Sequence, residues 1–428
     1  MSTRRRALIA FVLGLAVALF GLLQRRGDVL GLSLPLFLFA ATLILSDAML
    51  KSPQLRVSRA FSASRIHEDE QTDVALSVTN VGRTDSLLSL QDDIPPHVNV
   101  VEGNTRLAGR LQPGRTETCT YTLAAPRGRH EQRGLSGTYW APWGLAVREA
   151  SLQLETRLSS LPVFESLRDI SIRPRRTHAY AGSVRTRRSG SGLEILGCRE
   201  YSLGDDIRRI NWRASARQND LIINLFEQEQ MTDVNIIVDA RAHMHLQIEG
   251  VRTFDLVVRA AASMASYFLR QSNRVGLMIY GDALNWTFPA AGRLQMERLL
   301  HALAAAQPST RLAFGKLKHI PTRLFATGSQ LVIFSTLGSR EDAEVPSQLV
   351  ARGYSVMLVY PDTTELERSA FPSGRNGALA ERIIRLDRNT TLSHLARVGV
   401  DVVDWRITEP LSVAFHHARA ASVRRGRP

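Results

Sequence analysis

Two uncharged apolar runs open the chain, residues 7–23 (ALIAFVLGLAVALFGLL) and residues 29–45, with only QRRGD between them. Each is about 17 residues long, at the short end of what crosses a bilayer. A connector that short holds no domain, so the pattern predicts a helical hairpin in the membrane, with a kink in the second helix at Pro35. Arg4, Arg5 and Arg6 ahead of an apolar core also suit a signal peptide. The length of the run, the lack of a small-x-small site before Gln24 and the second span that follows favour a retained anchor. Basic residues flank both ends, Arg4 to Arg6 on one side and Lys51, Arg56, Arg59 and Arg65 on the other, against Arg25 and Arg26 in the connector. The charge rule then predicts a two-pass protein of the inner (cytoplasmic) membrane, with the soluble part facing the cytoplasm and membrane lipid as a partner.

After the hairpin the period changes to two. Short alternating runs at 55–57, 73–79, 86–90, 98–101, 116–123, 135–140 and 150–156 are separated by turn residues such as Pro95-Pro96 and Pro113-Gly114. Strands at this spacing with no helical period between them predict a β sandwich. Tyr139, Trp140 and Trp143 are expected to cap its core, with an aromatic binding platform as the alternative. Residues 172–192 are basic, turn-rich and without period, and read as an exposed linker.

From residue 234 the pattern changes again. VNIIV is a continuous apolar strand of the kind buried on both faces of a parallel sheet. Helical and strand-like runs then alternate: helices at 254–269, 294–306, 345–351 and 391–398, strands at 275–280, 331–335, 356–360 and 401–405. Strict alternation predicts a doubly wound α/β sheet. The organisation expected is a membrane hairpin (1–50), a β sandwich (51–165), a linker with a signature segment (166–230), an α/β domain (231–410) and a basic tail (411–428).

Composition adds little to this. The 428 residues are 44% hydrophobic with net charge +14, a globular composition whose charge raises nucleic acid or anionic membrane as partners. The arginines are spread along the chain, so nucleic acid is disfavoured. Two cysteines, Cys119 and Cys198, exclude a disulfide framework. There is no phosphate loop, no G-x-G-x-x-G, no G-x-S-x-G and no His-Glu-x-x-His, so no cofactor is expected and enzyme chemistry is poorly supported.

The densest chemistry lies between residues 189 and 239. Asp205 and Asp206 stand where a helix would begin, Ile207, Ile210 and Ala214 follow at helical spacing, and Trp212 is placed to pack on the adjoining sheet. Arg208, Arg209, Arg213 and Arg217 are interspersed, which suggests a buried ion-pair network. The series Arg199, Glu200, Tyr201, Gly204, Asp205, Asp206, Arg208, Ile210, Trp212, Ser215, Ala216, Arg217 and Phe226-Glu227 resembles the signature of the bacterial family called domain of unknown function 58. That resemblance implies two membrane spans, a β domain and a von Willebrand factor A-like domain, encoded beside a MoxR-type AAA+ ATPase and without an established activity. Two readings of the signature stay open, a structural clasp between domains and a docking or catalytic surface; the clasp is favoured.

Asp239 ends the first strand of the α/β region, where open sheets place their ligands. In von Willebrand A domains this position begins Asp-x-Ser-x-Ser, whose oxygens hold a divalent cation. Here DARAH puts Arg241 and His243 in place of the serines, and IFSTLGS offers Ser335 and Thr336 where a later Asp is expected. The site at Asp239, Arg241, His243 and Thr336 reads as degenerate, with no metal. The leading expectation is a membrane-anchored interaction or scaffold protein, partner of a MoxR-type AAA+ ATPase and of an unknown client protein. The alternatives are a cation-dependent A-type binding module and a hydrolase using Cys198 or the Asp205/Asp206 pair.

Overall fold

The computed structural model describes residues 3–141, 144–167, 184–218, 220–230, 232–248, 250–309, 317, 320–368 and 375–424. Trp143 of the aromatic cluster and residues 168–183 of the expected linker lie outside them. The chain divides into two units, residues 1–161 and 162–428.

The first unit begins with α1 (Thr3–Leu23), the short α2 (Gly27–Gly31) and α3 (Ser33–Met49), which are long and apolar enough to cross a membrane as two spans. The buried face of α1 is a seam of small residues, Ala7, Ala10, Gly14 and Gly21. A Cβ on Gly21 would lie 2.8 Å from the backbone nitrogen of Leu30, and one on Gly14 would lie 3.3 Å from Leu36 and Phe37. Small side chains therefore let the helices approach closely. The second span is interrupted at Leu32, where the backbone stays helical, and Pro35 accounts for the position: its ring clashes with the carbonyl four residues earlier, that of Gly31, the last residue of α2.

Nine strands follow among the described residues of this unit: β1 (Leu55–Phe61), β2 (Arg65–His67), β3 (Gln71–Asn80), β4 (Ser86–Asp92), β5 (Asn99–Gly103), β6 (Arg106–Leu111), β7 (Thr116–Ala124), β8 (Gly128–Trp140) and β9 (Val147–Leu161). They form one sheet ordered β1-β3-β7-β5 and another ordered β2-β9-β8-β4-β6. The alternation that predicts the strands also decides what they bury: along β3, Thr72, Val74, Leu76, Val78 and Asn80 are buried and their neighbours are not. Val74, Leu76 and Leu123 of the first sheet share a core with Leu88, Leu90 and Leu135 of the second. Tyr139 belongs to that core, as expected of a capping aromatic. β2 and β6 escape the sequence pattern because one has three residues and the other, RLAGRL, carries a glycine at its centre.

A buried ion pair ties the two sheets. The Arg59 guanidinium, on β1, donates from Nε to Asp92 Oδ2 at 2.9 Å and from Nη2 to Asp92 Oδ1, at the end of β4. It also donates to the carbonyls of Gly134 and Leu154, both at 3.2 Å. The Tyr121 hydroxyl donates to the same carboxylate, and burial together with that bond pushes its ionisation well above the usual phenol range. Arg59, counted by the charge rule as a membrane-flanking cation, thus serves the interior.

In the second unit β10 (Val184–Glu200) pairs antiparallel with β11 (Ile222–Gln230), with α4 (Trp212–Gln218) between them. Residues 184–192 are therefore strand, not linker. The sheet that follows is built from β12 (Asp233–Asp239), β15 (Arg274–Tyr280), β16 (Leu284–Ala290), β17 (Gln330–Phe334), β18 (Ser355–Asp362) and β19 (Asp401–Arg406), with a small hairpin β13 (Gln247–Ile248) and β14 (Val251–Arg252) inserted. Its helices are α5 (Thr253–Arg270), α6 (Arg293–Ala305), α7 (Arg340–Ala351), α8 (Thr364–Glu367), α9 (Arg375–Val398) and α10 (Leu411–Arg424). The strand order is β16-β15-β12-β17-β18-β19, parallel except for β16. β12 is flanked by β15 on one side and β17 on the other, so the chain reverses its direction of travel across the sheet at β12. In open α/β sheets such a reversal marks the usual ligand position, and Asp239 stands there, at the carboxyl end of β12.

One element here escapes the sequence pattern and another is misassigned by it. The edge strand β16 is half exposed and contains Pro289, which masks its period. Residues 411–424 are helix α10, with Leu411, Ala414 and Phe415 buried, rather than part of a basic tail.

The Arg59 pair sets a testable energy. Arg59→Ala, which strands the Asp92 charge, should destabilise the full-length protein in detergent by about 3–5 kcal/mol, whereas Arg59→Met with Asp92→Leu should cost far less. Urea unfolding followed by tryptophan fluorescence measures both; equal losses would remove the ion pair from its role.

Candidate functional site

The signature folds into a turn hung from β11 rather than one helix beginning at the two acids. Arg199 holds Asp205 with both arms of its guanidinium, Nη1 to Oδ2 at 2.8 Å and Nη2 to Oδ1 at 2.6 Å. The Ser202 backbone N–H also donates to Asp205, at 2.8 Å. With Arg199 foremost and that N–H second, the Asp205 carboxyl is held below the usual range. Gly204 has φ +105, a conformation that side chains resist, and so permits the tight bend between them. Asp206 accepts from the Arg208 backbone N–H at 3.0 Å, capping a single 3₁₀ turn of residues 207–209.

The helix proper, α4, starts at Trp212, and its cap is Asn211, whose Oδ1 accepts from the Ala214 N–H at 3.0 Å. Asn211 Nδ2 also donates to Asn224 of β11 at 2.9 Å. Ser215 is buried: its hydroxyl donates to the Asn211 carbonyl at 2.9 Å and accepts from the Ile222 N–H at 2.9 Å. Ile210 bridges to Ile223 and both are buried. Asn211 was overlooked in the sequence, although a cap-forming residue directly before a helix is itself a signal.

The expected buried network is therefore a surface feature. The Arg199–Asp205 pair is partly exposed, and Glu200, Arg208, Arg213 and Arg217 are exposed. Trp212 does not pack on the sheet; it is 68% exposed, Ile207 is 67% exposed, Leu221 is also exposed and Leu203 is fully so. Tyr201 is half-buried and its N–H donates to the Leu221 carbonyl at 2.7 Å. Glu227 lies in β11 opposite Ser189, and its side chain falls outside the description. Cys198 is exposed, and its thiol donates to Asn224 Oδ1 at 3.4 Å.

At the end of β12 a second cluster forms around Asp239, which is fully buried. Arg241 folds back on it, Nε to Oδ1 at 2.9 Å and Nη2 to Oδ2 at 2.7 Å, while its remaining arm, Nη1, donates to Asp342 Oδ2 on α7 at 2.9 Å. The Ser335 hydroxyl donates to Asp239 at 2.7 Å, and the Leu317 N–H donates to Asp342 at 2.8 Å. His243 Nε2 lies 3.4 Å from Asp239 Oδ2. Gly338 presses on that imidazole, since a Cβ there would come within 2.9 Å of the ring. Burial pushes the Asp239 carboxyl up, but the Arg241 and His243 contacts outweigh it and hold the group well below the usual carboxylate range. Burial likewise works against the Arg241 charge and the two carboxylates restore it.

The arginine is thus the partner of this cluster rather than an intruder in it: a planar cation bridging two carboxylates, where an oxygen-liganded ion would otherwise balance their charge. Thr336, which the sequence places in the degenerate site, turns its hydroxyl to Met244 Sδ at 3.3 Å, and Ser335 is the hydroxyl that reaches Asp239. Asp342 was missed because it lies 101 residues from Arg241. The Ser339 hydroxyl accepts from the Asp342 N–H at 3.2 Å, so the Ser-x-x-Asp spacing marks the start of α7. Asp362, at the end of β18, pairs with Arg388 of α9 and accepts from the Thr364 hydroxyl at 2.6 Å.

Comparison with known proteins finds relatives described as uncharacterized. "Uncharacterized protein YeaD" of Bacillus subtilis (strain 168) is 23% identical over 291 residues, covering 65% of this chain and 70% of that one. "Uncharacterized protein Rv1480" of Mycobacterium tuberculosis (strain ATCC 25618 / H37Rv) is 28% identical over 116 residues, 27% of this chain; the chain spans only 37% of that relative's length. Among solved structures, the FixG-related protein from Vibrio parahaemolyticus aligns with TM-score 0.18 and 13% identity, covering 26% of this chain and 98% of that one. The ASH / PapD-like domain of human CEP192 aligns with TM-score 0.19 and 17% identity, covering 26% and 90%. Residues 197–367, which hold both the signature turn and the Asp239 cluster, match the family described as "Protein of unknown function DUF58".

Proposed function

We propose that this chain is a membrane-anchored interaction protein. In this reading the α1–α3 hairpin sits in the inner membrane, the soluble units face the cytoplasm, the first is a β sandwich and the second a doubly wound, von Willebrand factor A-like binding domain. The signature turn is its docking surface, and the partner is a MoxR-type AAA+ ATPase, which supplies the energy to remodel a client. The observation that carries this reading is the exposure of Leu203, Ile207, Trp212 and Leu221 beside Arg208, Arg213 and Arg217 on a turn fixed by its own hydrogen bonds. Tryptophan and arginine are the residues enriched at interface hot spots, and exposed apolar neighbours supply the surface around them. The partnership itself rests on the family resemblance. The Asp239 cluster favours binding over catalysis, because both of its carboxylates are buried and engaged by Arg241.

Co-purification from detergent with the neighbouring ATPase tests this. Trp212→Ala should weaken capture by about 30-fold or more, a hot-spot loss of roughly 2 kcal/mol. Arg217→Ala should weaken it less, and Asp206→Ala should act only by loosening the turn. Equal capture by all three variants and the wild type would remove the turn as the docking surface, and no capture by any would remove the partner.

The Asp239 cluster has its own test. Arg241→Met should destabilise the protein by about 3–5 kcal/mol by stranding two buried carboxylates. Wild-type thermal stability should be flat across millimolar magnesium; a magnesium-dependent rise would revive the cation-dependent module.

A further inference from the structure

A groove runs beside the N-terminal hairpin with three walls. Ile9 and Leu13 of α1 form one, Leu36 and Phe39 of α3 another, and Leu145 of the β8–β9 connection the third, with Arg6 the one charged residue among its lining. Its volume is about 420 Å³, within the range of ligand clefts. The third wall separates this groove from the bare surface of a helix pair, and that wall is fastened. The Val147 N–H donates to Thr3 Oγ1 at 3.1 Å, and Arg148 donates to the carbonyls of Asp47 at 3.0 Å and Leu50 at 3.3 Å.

The charges at this end of the hairpin are unbalanced. Asp47 pairs with Arg4 at 3.3 Å and with Arg148 at 3.2 Å, so this acid already has two basic partners. Arg5, Arg6 and Lys51 add to the same basic end. Arg6 precedes Leu13 by two helical turns, so an anion on its guanidinium leaves about 10 Å of apolar wall running away from it along α1. Ile9, Leu13 and Phe39 are about half exposed in the chain alone. The complement of an apolar channel with a cation at its mouth is a molecule with an aliphatic tail and an anionic head.

We propose that this groove is a specific site for one anionic glycerophospholipid, with its phosphate on Arg6 and one acyl chain between α1, α3 and the β8–β9 connection. The site rests on the reading of the hairpin as membrane-spanning. It is distinct from the general attraction of a basic surface to anionic lipid, because it is saturable and depends on one arginine rather than on net charge.

Native mass spectrometry of the full-length protein in detergent, titrated with phosphatidylglycerol or phosphatidylcholine, tests it. The wild type should take up a single saturable phosphatidylglycerol with about fivefold preference over phosphatidylcholine, the difference expected of one basic contact. Arg6→Gln should abolish the preference and leave phosphatidylcholine uptake intact. Ile9→Trp, which fills the groove, should weaken uptake of both lipids. Arg5→Gln removes the same charge outside the groove and should leave the preference unchanged. Equal uptake of the two lipids by the wild type, unsaturable multiple uptake, or identical behaviour of Arg5→Gln and Arg6→Gln would overturn the proposal. Failure of the membrane reading shows separately, as a full-length chain that stays in the aqueous phase on detergent phase separation.

Discussion

A carboxylate buried at the end of a strand has to be neutralised where it stands, and the second unit is arranged around that requirement. Asp239 closes β12, the strand at which the sheet reverses direction, and water cannot reach it. Its charge is met by a guanidinium two residues on, whose Nη1 reaches α7 and collects Asp342. One arginine thereby fixes the loop after β12, the start of α7 and, through Ser335, the end of β17. Taking these charges out of water is costly, and only a fully engaged geometry offsets the cost. The same engagement leaves neither carboxylate available to a substrate.

The first unit solves a related problem with the same pair of residue types. Arg59 crosses from one sheet to Asp92 of the other, its remaining bonds go to the carbonyls of Gln132, Gly134 and Leu154 and the Thr156 hydroxyl, and Tyr121 donates to Asp92. Arg388 repeats the arrangement near the end of β18, pairing with Asp362 and lying 3.4 Å from Asp404. Arginine suits these positions because its planar, permanently charged fork satisfies several acceptors at once. The excess of basic residues in the sequence therefore has two sources that composition cannot separate, joints inside the fold and cations on its surface.

Much of the architecture was legible because it rests on local pattern. The apolar runs at the N-terminus, the alternation along β3 and the continuous apolar strands β12, β17 and β18 each declare what they bury. Asp239 was found because a strand end is a local feature. Asp342 was not, because its role depends on a partner 101 residues away that no period reports. Trp212 misled because tryptophan usually seeks burial, whereas α4 has seven residues and its inward side is taken by Ser215. The interruption at Leu32 shows the intermediate case, since Pro35 announces a disturbance and the missing bond to the Gly31 carbonyl puts it about one turn earlier.

The signature turn is pinned to β11 and to Leu221 just before it, through the Tyr201 and Asn211 backbones, the Asn211 side chain, the Ile210 bridge and the Ser215 hydroxyl. Its exposed side chains are consequently held out from a surface that is already ordered before anything meets it. Association with such a surface carries little of the entropic cost that a folding loop incurs, which makes it preorganised. The heat-capacity change on binding would then report mainly the apolar area that a partner covers, with little contribution from segments ordering on contact.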